Sequence, residues 1–93
     1  MFDKIEAAKI LDHELAAVGG SGYAELTNSI GRPPLTKAVR APSGRTYQVE
    51  IEVLWDAGGP GAIRVLGAVS GSGWSDFRPL CRDLLIPVPE PKA

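Results

Sequence analysis

Few side chains in this sequence are equipped for covalent or metal chemistry. His13 is the single histidine and Cys81 the single cysteine, and no further ligand stands at metal spacing from either. A tetrahedral site needs three or four such ligands converging on one point, so these two residues point to no metal centre. A magnesium-type site made of carboxylates alone would have to draw on Glu50 and Glu52, and a solvated strand face explains that pair as well. Asp12, His13 and Glu14 are contiguous, but consecutive helical side chains diverge, so they form no acid–histidine relay. A nucleophilic Cys81 would need a lowered pKa and an adjacent base. Its place on an apolar helical stripe instead predicts a small buried hydrophobe. Ser72, in Gly71-Ser72-Gly73, lacks the G-x-S-x-G elbow of a serine hydrolase. No catalytic residue, metal ligand or cofactor is assigned, and the expectation is a non-enzyme.

Glycine-rich runs can cradle phosphate, but position decides. Gly19-Gly20-Ser21-Gly22 follows a helical pattern, whereas a phosphate or dinucleotide loop follows a strand and opens a helix. The Walker lysine is also missing. Gly71-Ser72-Gly73-Trp74-Ser75 does run from strand towards helix, where amides can meet an anion; a plain tight turn is the simpler reading. The remaining binding signal is electrostatic. Residues 1–25 carry a net charge of −3, residues 26–49 carry +4 and residues 50–93 carry −2. The basic middle comes from Arg32, Lys37, Arg40 and Arg45, which are candidate contacts for an anion or nucleic acid. Four such charges also suit a solvated loop and an edge strand protected from aggregation.

The elements that would position these residues are legible from periodicity. Over residues 2–18, Ala8, Leu11, Leu15 and Val18 share one helical face with Ile5 at its edge, while Glu6, Lys9 and His13 point away. The glycines from Gly19 end that helix. With charges throughout this segment, no secretory signal is expected here. From Arg45 to Asp56, Tyr47, Val49, Ile51, Val53 and Trp55 alternate with polar residues, the pattern of a strand buried on one face. Ala57-Gly58-Gly59-Pro60-Gly61 is a turn, and Ala62 to Ser70 returns with Ile63, Val65 and Val69 on the matching face. Setting residue 55 against 63 puts 53 against 65 and sends Leu54, Leu66 and Arg64 to the opposite face, with Arg64 diagonal to Glu52 and Asp56. Leu35 to Ala41 reads as a third strand, joined through Pro42-Ser43-Gly44. Residues 23–30 read as a short strand or an irregular segment. Phe77, Leu80, Cys81, Leu84 and Leu85 fit a second helix capped by Ser75 or Asp76. Residues 87–93 read as an extended, proline-rich tail.

The whole chain bounds these readings. Its 93 residues allow one domain, placed at residues 1–86, and its 44% hydrophobic content suits one modest core. No apolar run approaches the ~20 residues of a membrane span, so no membrane partner is expected. One cysteine excludes an internal disulfide framework and fits a reducing, cytoplasmic compartment. A net charge of −1 and a pI near 5.7 are unlike a stand-alone nucleic-acid binder.

The order helix, three antiparallel strands, helix resembles the double-stranded-RNA-binding domain in outline. That family reads RNA through basic residues opening its last helix and a loop between its first strands. Here the last helix offers Arg78 and Arg82 mixed with Asp76 and Asp83, so the family's lysine-rich motif is absent and the resemblance implies no site. The run from Tyr47 to Asp56, then Ile63-Arg64-Val65-Leu66-Gly67, then Gly73-Trp74 and Phe77-Arg78-Pro79-Leu80, is similar to small bacterial domains of unknown function. That similarity spans residues 45–86 and implies a compact α+β domain without a stated activity.

The resulting expectation is an α+β fold: three or four antiparallel strands, with the N-terminal amphipathic helix and a short C-terminal helix packed on one face. The expected function is a small non-catalytic interaction module that binds a protein partner through Leu54, Leu66 and Trp74. The alternative is nucleic-acid binding through the basic segment 32–45. A homodimer joined through the outer sheet face is a third reading.

Overall fold

Four consecutive strands pair antiparallel, and everything else is arranged around them. The computed structural model describes residues 3–71 and 79–89. In chain order the elements are α1 (Lys4–Gly19), α2 (Tyr23–Ser29), β1 (Leu35–Arg40), β2 (Thr46–Trp55), β3 (Ile63–Gly71) and β4 (Leu80–Ile86). The sheet order is β1-β2-β3-β4, so each strand pairs with its neighbour in sequence.

The central hairpin has the expected register, with Trp55 opposite Ile63 and Val53 opposite Val65. Tyr47, Val49 and Ile51 of β2 and Ile63, Val65 and Val69 of β3 are buried on one face, while Val53 and Trp55 are half-buried. The β1–β2 connection is also as read. The Ala41 N–H donates to the Arg45 carbonyl at 2.8 Å and the Gly44 N–H to the Ala41 carbonyl at 2.9 Å. Gly44 has φ 91°, the left-handed conformation that this three-residue loop requires.

The α1 helix starts at a capping residue. Asp3 Oδ1 accepts the N–H groups of Ile5 at 3.0 Å and Glu6 at 3.1 Å, satisfying two donors that the helix cannot pair internally. Ala7, Leu11 and Leu15 form its buried ridge at i, i+4 and i+8. Leu11 and Leu15 are buried and Val18 packs against the core as expected, but at the start of the helix Ala7 is fully buried where Ala8 was expected, Ala8 is half-buried and Ile5 is 73% exposed. Glu6, expected to face solvent, bonds the Tyr47 hydroxyl of the sheet. The helix seats on β3 and β4 because Gly67 has no side chain there; a Cβ at that position would stand 2.7 Å from Leu11 Cδ1.

Two expectations are corrected. Residues 23–29 form α2, where a strand or irregular segment was expected; seven residues are too few to display a helical period. Leu26 is buried in the core and the Tyr23 hydroxyl donates to the Gly61 carbonyl at 2.6 Å, tying α2 to the β2–β3 turn. Leu80, Cys81, Leu84 and Leu85 lie in β4, where a C-terminal helix was expected. The four fit a helical period, whereas Leu80, Leu84 and Ile86 share one face of a strand, and the open edge of β3 decides between the two. Pairing from Ile63 with Ile86 to Val69 with Leu80 satisfies backbone groups that a helix would leave unpaired. Leu80, Leu84 and Ile86 then turn inward, and Cys81, expected to be buried, is exposed. The proposed helix cap at Ser75 or Asp76, together with Phe77 and Arg78, lies outside the described residues. Both helices pack on the same sheet face, α1 chiefly against β3 and β4, α2 against β2 and β3. The coarse expectation of an α+β fold with helices on one face therefore stands.

Candidate functional site

Period two sends alternate side chains of each strand to the face that no described helix covers. Register brings three cross-strand rows together there: Leu54–Arg64–Leu85, Glu52–Leu66–Asp83 and Glu50–Ala68–Cys81. Leu66 is 37% exposed and Leu85 49% exposed, while Leu54 is half-buried. Leu54 and Leu66 thus share this outer face, as expected, and Leu85 joins them from the row of Leu54, on the other side of Arg64, so that the three leucines form a triangle over β2, β3 and β4. Sequence reading missed Leu85 because it assigned that segment to a helix; alternation counted from Leu80 would have found it. Trp74, the third expected contact, lies outside the described residues.

Charge surrounds these leucines unevenly. Arg64 bonds Asp56 Oδ1 through Nε at 2.7 Å and through a terminal nitrogen at 2.6 Å, and it also pairs with Asp83. Hydrogen bonding to Asp56, with the charge of that carboxylate and of Asp83, raises the Arg64 pKa further above its ordinary value. The expected Asp56 contact is present, Asp83 supplies the second, and Glu52 is not a partner. Glu50 and Glu52 have no ion-pair partner among the described residues. They border a shallow trough over Leu66 and Ala68 whose other side is Cys81 and Asp83.

The four basic candidates are dispersed. Lys37 lies on the inner side of β1 and pairs with Glu14 of α1 at 2.6 Å. Arg45, at the β1–β2 turn, stands 3.9 Å from Asp3 and 3.8 Å from Glu6. Arg32 folds back so that Nε donates to the Asn28 carbonyl at 2.9 Å. Arg40 projects from the outer side of β1, in register with Thr46. They therefore share no single face. His13 is exposed on α1, and among the described residues no group of three metal-binding side chains converges. No described helix is long and apolar enough to cross a membrane.

One polar network lies at the partly exposed junction of α1 and the β1–β2 turn. Glu6 Oε1 accepts hydrogen bonds from the Ser43 and Tyr47 hydroxyls, each at 2.7 Å. These bonds, Ser43 first and Tyr47 next, hold the Glu6 carboxyl below the ordinary carboxylate range, and Arg45 adds to the effect. Burial, and then the bond to Glu6, pushes the Tyr47 phenol above its ordinary pKa. The network fastens the first turn of α1 to the β1–β2 hairpin. It acts as an anchorage between helix and hairpin.

No protein-family model, curated protein or solved structure matches this chain. The functional reading therefore rests on the geometry alone.

Proposed function

We propose that this protein is a small non-catalytic interaction module whose helix-free sheet face binds a protein partner that is both apolar and basic. One observation carries the reading. Leu54 and Leu85 stand either side of Arg64 in one cross-strand row and Leu66 lies in the next, a triangle of leucines over three strands flanked by Glu50 and Glu52, which have no ion-pair partner among the described residues. Apolar side chains grouped on an otherwise polar face are characteristic of a docking surface. Acids with no partner among the described residues favour a partner carrying lysine or arginine and disfavour polyanions. Nucleic-acid binding through Arg32, Lys37, Arg40 and Arg45 has less support, because Lys37 and Arg45 already stand beside carboxylates of α1 and its cap.

A photo-activatable residue at position 66, compared with one at position 9 on the opposite side of the molecule, tests the reading in cells. The expected result is a discrete protein adduct from position 66 alone. Its mapped contact segment should be basic and apolar, and the adduct should disappear in Glu52→Lys while circular dichroism shows the fold retained. Equal labelling from both positions, or an adduct indifferent to Glu52→Lys, would overturn it. So would recovery of nucleic acid in place of protein with a steep salt dependence.

A further inference from the structure

We infer that β1 is a self-complementary edge through which two copies of this chain pair antiparallel, joining their sheets into one of eight strands. The inference goes beyond the proposed partner-binding face and uses the rim of the sheet.

The hydrogen-bonding parity of β1 is set at its end. Because Ala41 donates its N–H to Arg45, alternation directs Val39, Lys37 and Leu35 to bond β2 and leaves Thr36, Ala38 and Arg40 with backbone groups aimed outward. Pro34 and Pro42 share that outward parity and carry no N–H. Both stand four positions from Ala38. A two-fold axis through Ala38 therefore sets Thr36 against Arg40 of the other copy and Ala38 against its own counterpart. The prolines fall opposite each other, where neither has a donor to leave unpaired. Every outward N–H between the prolines finds a carbonyl, and pairing stops at both ends. Such an edge makes a closed dimer and no fibre.

Side chains on both faces agree with this register. On the outer face Arg40 has no ion-pair partner among the described residues, and Thr36 is the neighbour of Glu50 in the same chain. Arg40 of one copy thus reaches over the short Thr36 of the other to the otherwise unpaired Glu50, and symmetry repeats the contact. On the inner face Leu35, 57% exposed, comes opposite Ala41 of the other copy. It then lies at the mouth of a groove lined by Ile5, Ile10, Val39 and Pro42. Ile5 is itself 73% exposed, so two of the molecule's exposed apolar side chains cover each other. An inward lysine on an edge ordinarily blocks such pairing, but Lys37 is already neutralised by Glu14 at 2.6 Å.

The test is covalent capture with sedimentation. In a Cys81→Ser background, Ala38→Cys places two thiols across the axis, with Cα atoms about 5.5 Å apart in a hydrogen-bonded pair, within disulfide reach. Mild oxidation is expected to give a disulfide dimer. Thr36→Cys, whose two copies would be offset by four residues or about 14 Å, is expected to give none. By analytical ultracentrifugation the unmodified chain should show a concentration-dependent dimer. Ala38→Pro removes only an outward N–H and should weaken it at least tenfold with unchanged circular dichroism. Arg40→Glu should weaken it similarly, and adding Glu50→Arg should restore it. A monomer at every concentration, a dimer untouched by Ala38→Pro, or equal cross-linking at positions 36 and 38 would overturn the inference. Ala38→Cys, Ala38→Pro and Arg40→Glu leave Leu54, Leu66, Leu85, Glu50 and Glu52 unchanged, so failure in these variants and failure of the partner-binding reading are separable.

Discussion

Replacing Gly67 by alanine isolates the contact that seats α1 on the sheet. The position is on the inner side of β3, between Ile51 and Arg82 in the register. Ordinary propensity predicts a gain, since glycine inside a strand costs about 0.5–1 kcal/mol relative to alanine. The structure predicts the opposite sign. The added Cβ would stand 2.7 Å from Leu11 Cδ1, 3.0 Å from Leu15 Cδ2 and 3.3 Å from Leu15 Cγ, against a favourable carbon–carbon separation of about 3.5–4.0 Å. Leu11 is fully buried and Leu15 is 5% exposed, so neither has free volume to turn into, and the helix must lift instead. Overpacking of this kind costs about 1–3 kcal/mol. Net of the propensity gain, destabilisation of about 1–2 kcal/mol is expected, or a Tm lower by about 4–15 °C for a domain of this size. Gly59→Ala is the control. It meets nothing within 4 Å and should leave stability unchanged or raise it by up to about 1 kcal/mol. Urea unfolding followed by far-ultraviolet circular dichroism measures both. A Gly67→Ala variant at least as stable as the parent chain would refute the close seating of α1.

Four further outcomes follow from other contacts. Asp3→Ala removes the acceptor for the Ile5 and Glu6 amides and should cost about 1 kcal/mol in urea unfolding, whereas Asp3→Asn should retain most of it. Leu26→Ala empties the one buried side chain of α2 and should cost about 2–5 kcal/mol; a loss well under 1 kcal/mol would mean that α2 is not docked. Because the Glu6 pKa is lowered in the folded chain, its contribution is complete above the unfolded value of about 4.3 and disappears as pH falls through the folded one. Glu6→Gln should therefore flatten the acid limb of a stability–pH profile, and parallel profiles for the two chains would contradict the network. Tyr47 has the reverse sign: its raised pKa favours the folded state below pH about 10, and that contribution is lost as pH rises further.

Local order was legible wherever one period applied without competition. The alternation from Tyr47 to Trp55 specified a strand, its buried face and, through the turn at Gly58-Gly59-Pro60, the register with β3, because slipping by one residue would turn every buried side chain to water. Residues 2–18 specified a helix for the same kind of reason, with Leu11, Leu15 and Val18 on the packed face, although Ala7 and not Ala8 is the buried alanine. Placement of Leu54, Leu66 and Arg64 on the outer face followed directly from that alternation.

Tertiary structure decided what local pattern left degenerate. Leu80, Cys81, Leu84 and Leu85 fit a helix while Leu80, Leu84 and Ile86 fit one face of a strand, and the unpaired edge of β3 selected the strand. That choice exposed Cys81, added Leu85 to the outer face and gave Arg64 its second carboxylate in Asp83. Residues 23–29 became helical through Leu26 and the Tyr23 hydroxyl, two contacts made with distant parts of the chain. The union of Glu6, Ser43 and Tyr47 likewise joins residues up to 41 positions apart, a distance over which sequence periodicity carries no information. The sequence by itself determined which segments must hide an apolar face. Only packing determined which face met which partner, because hydrogen-bond satisfaction at a strand edge and the close approach permitted by Gly67 are properties of assembled elements.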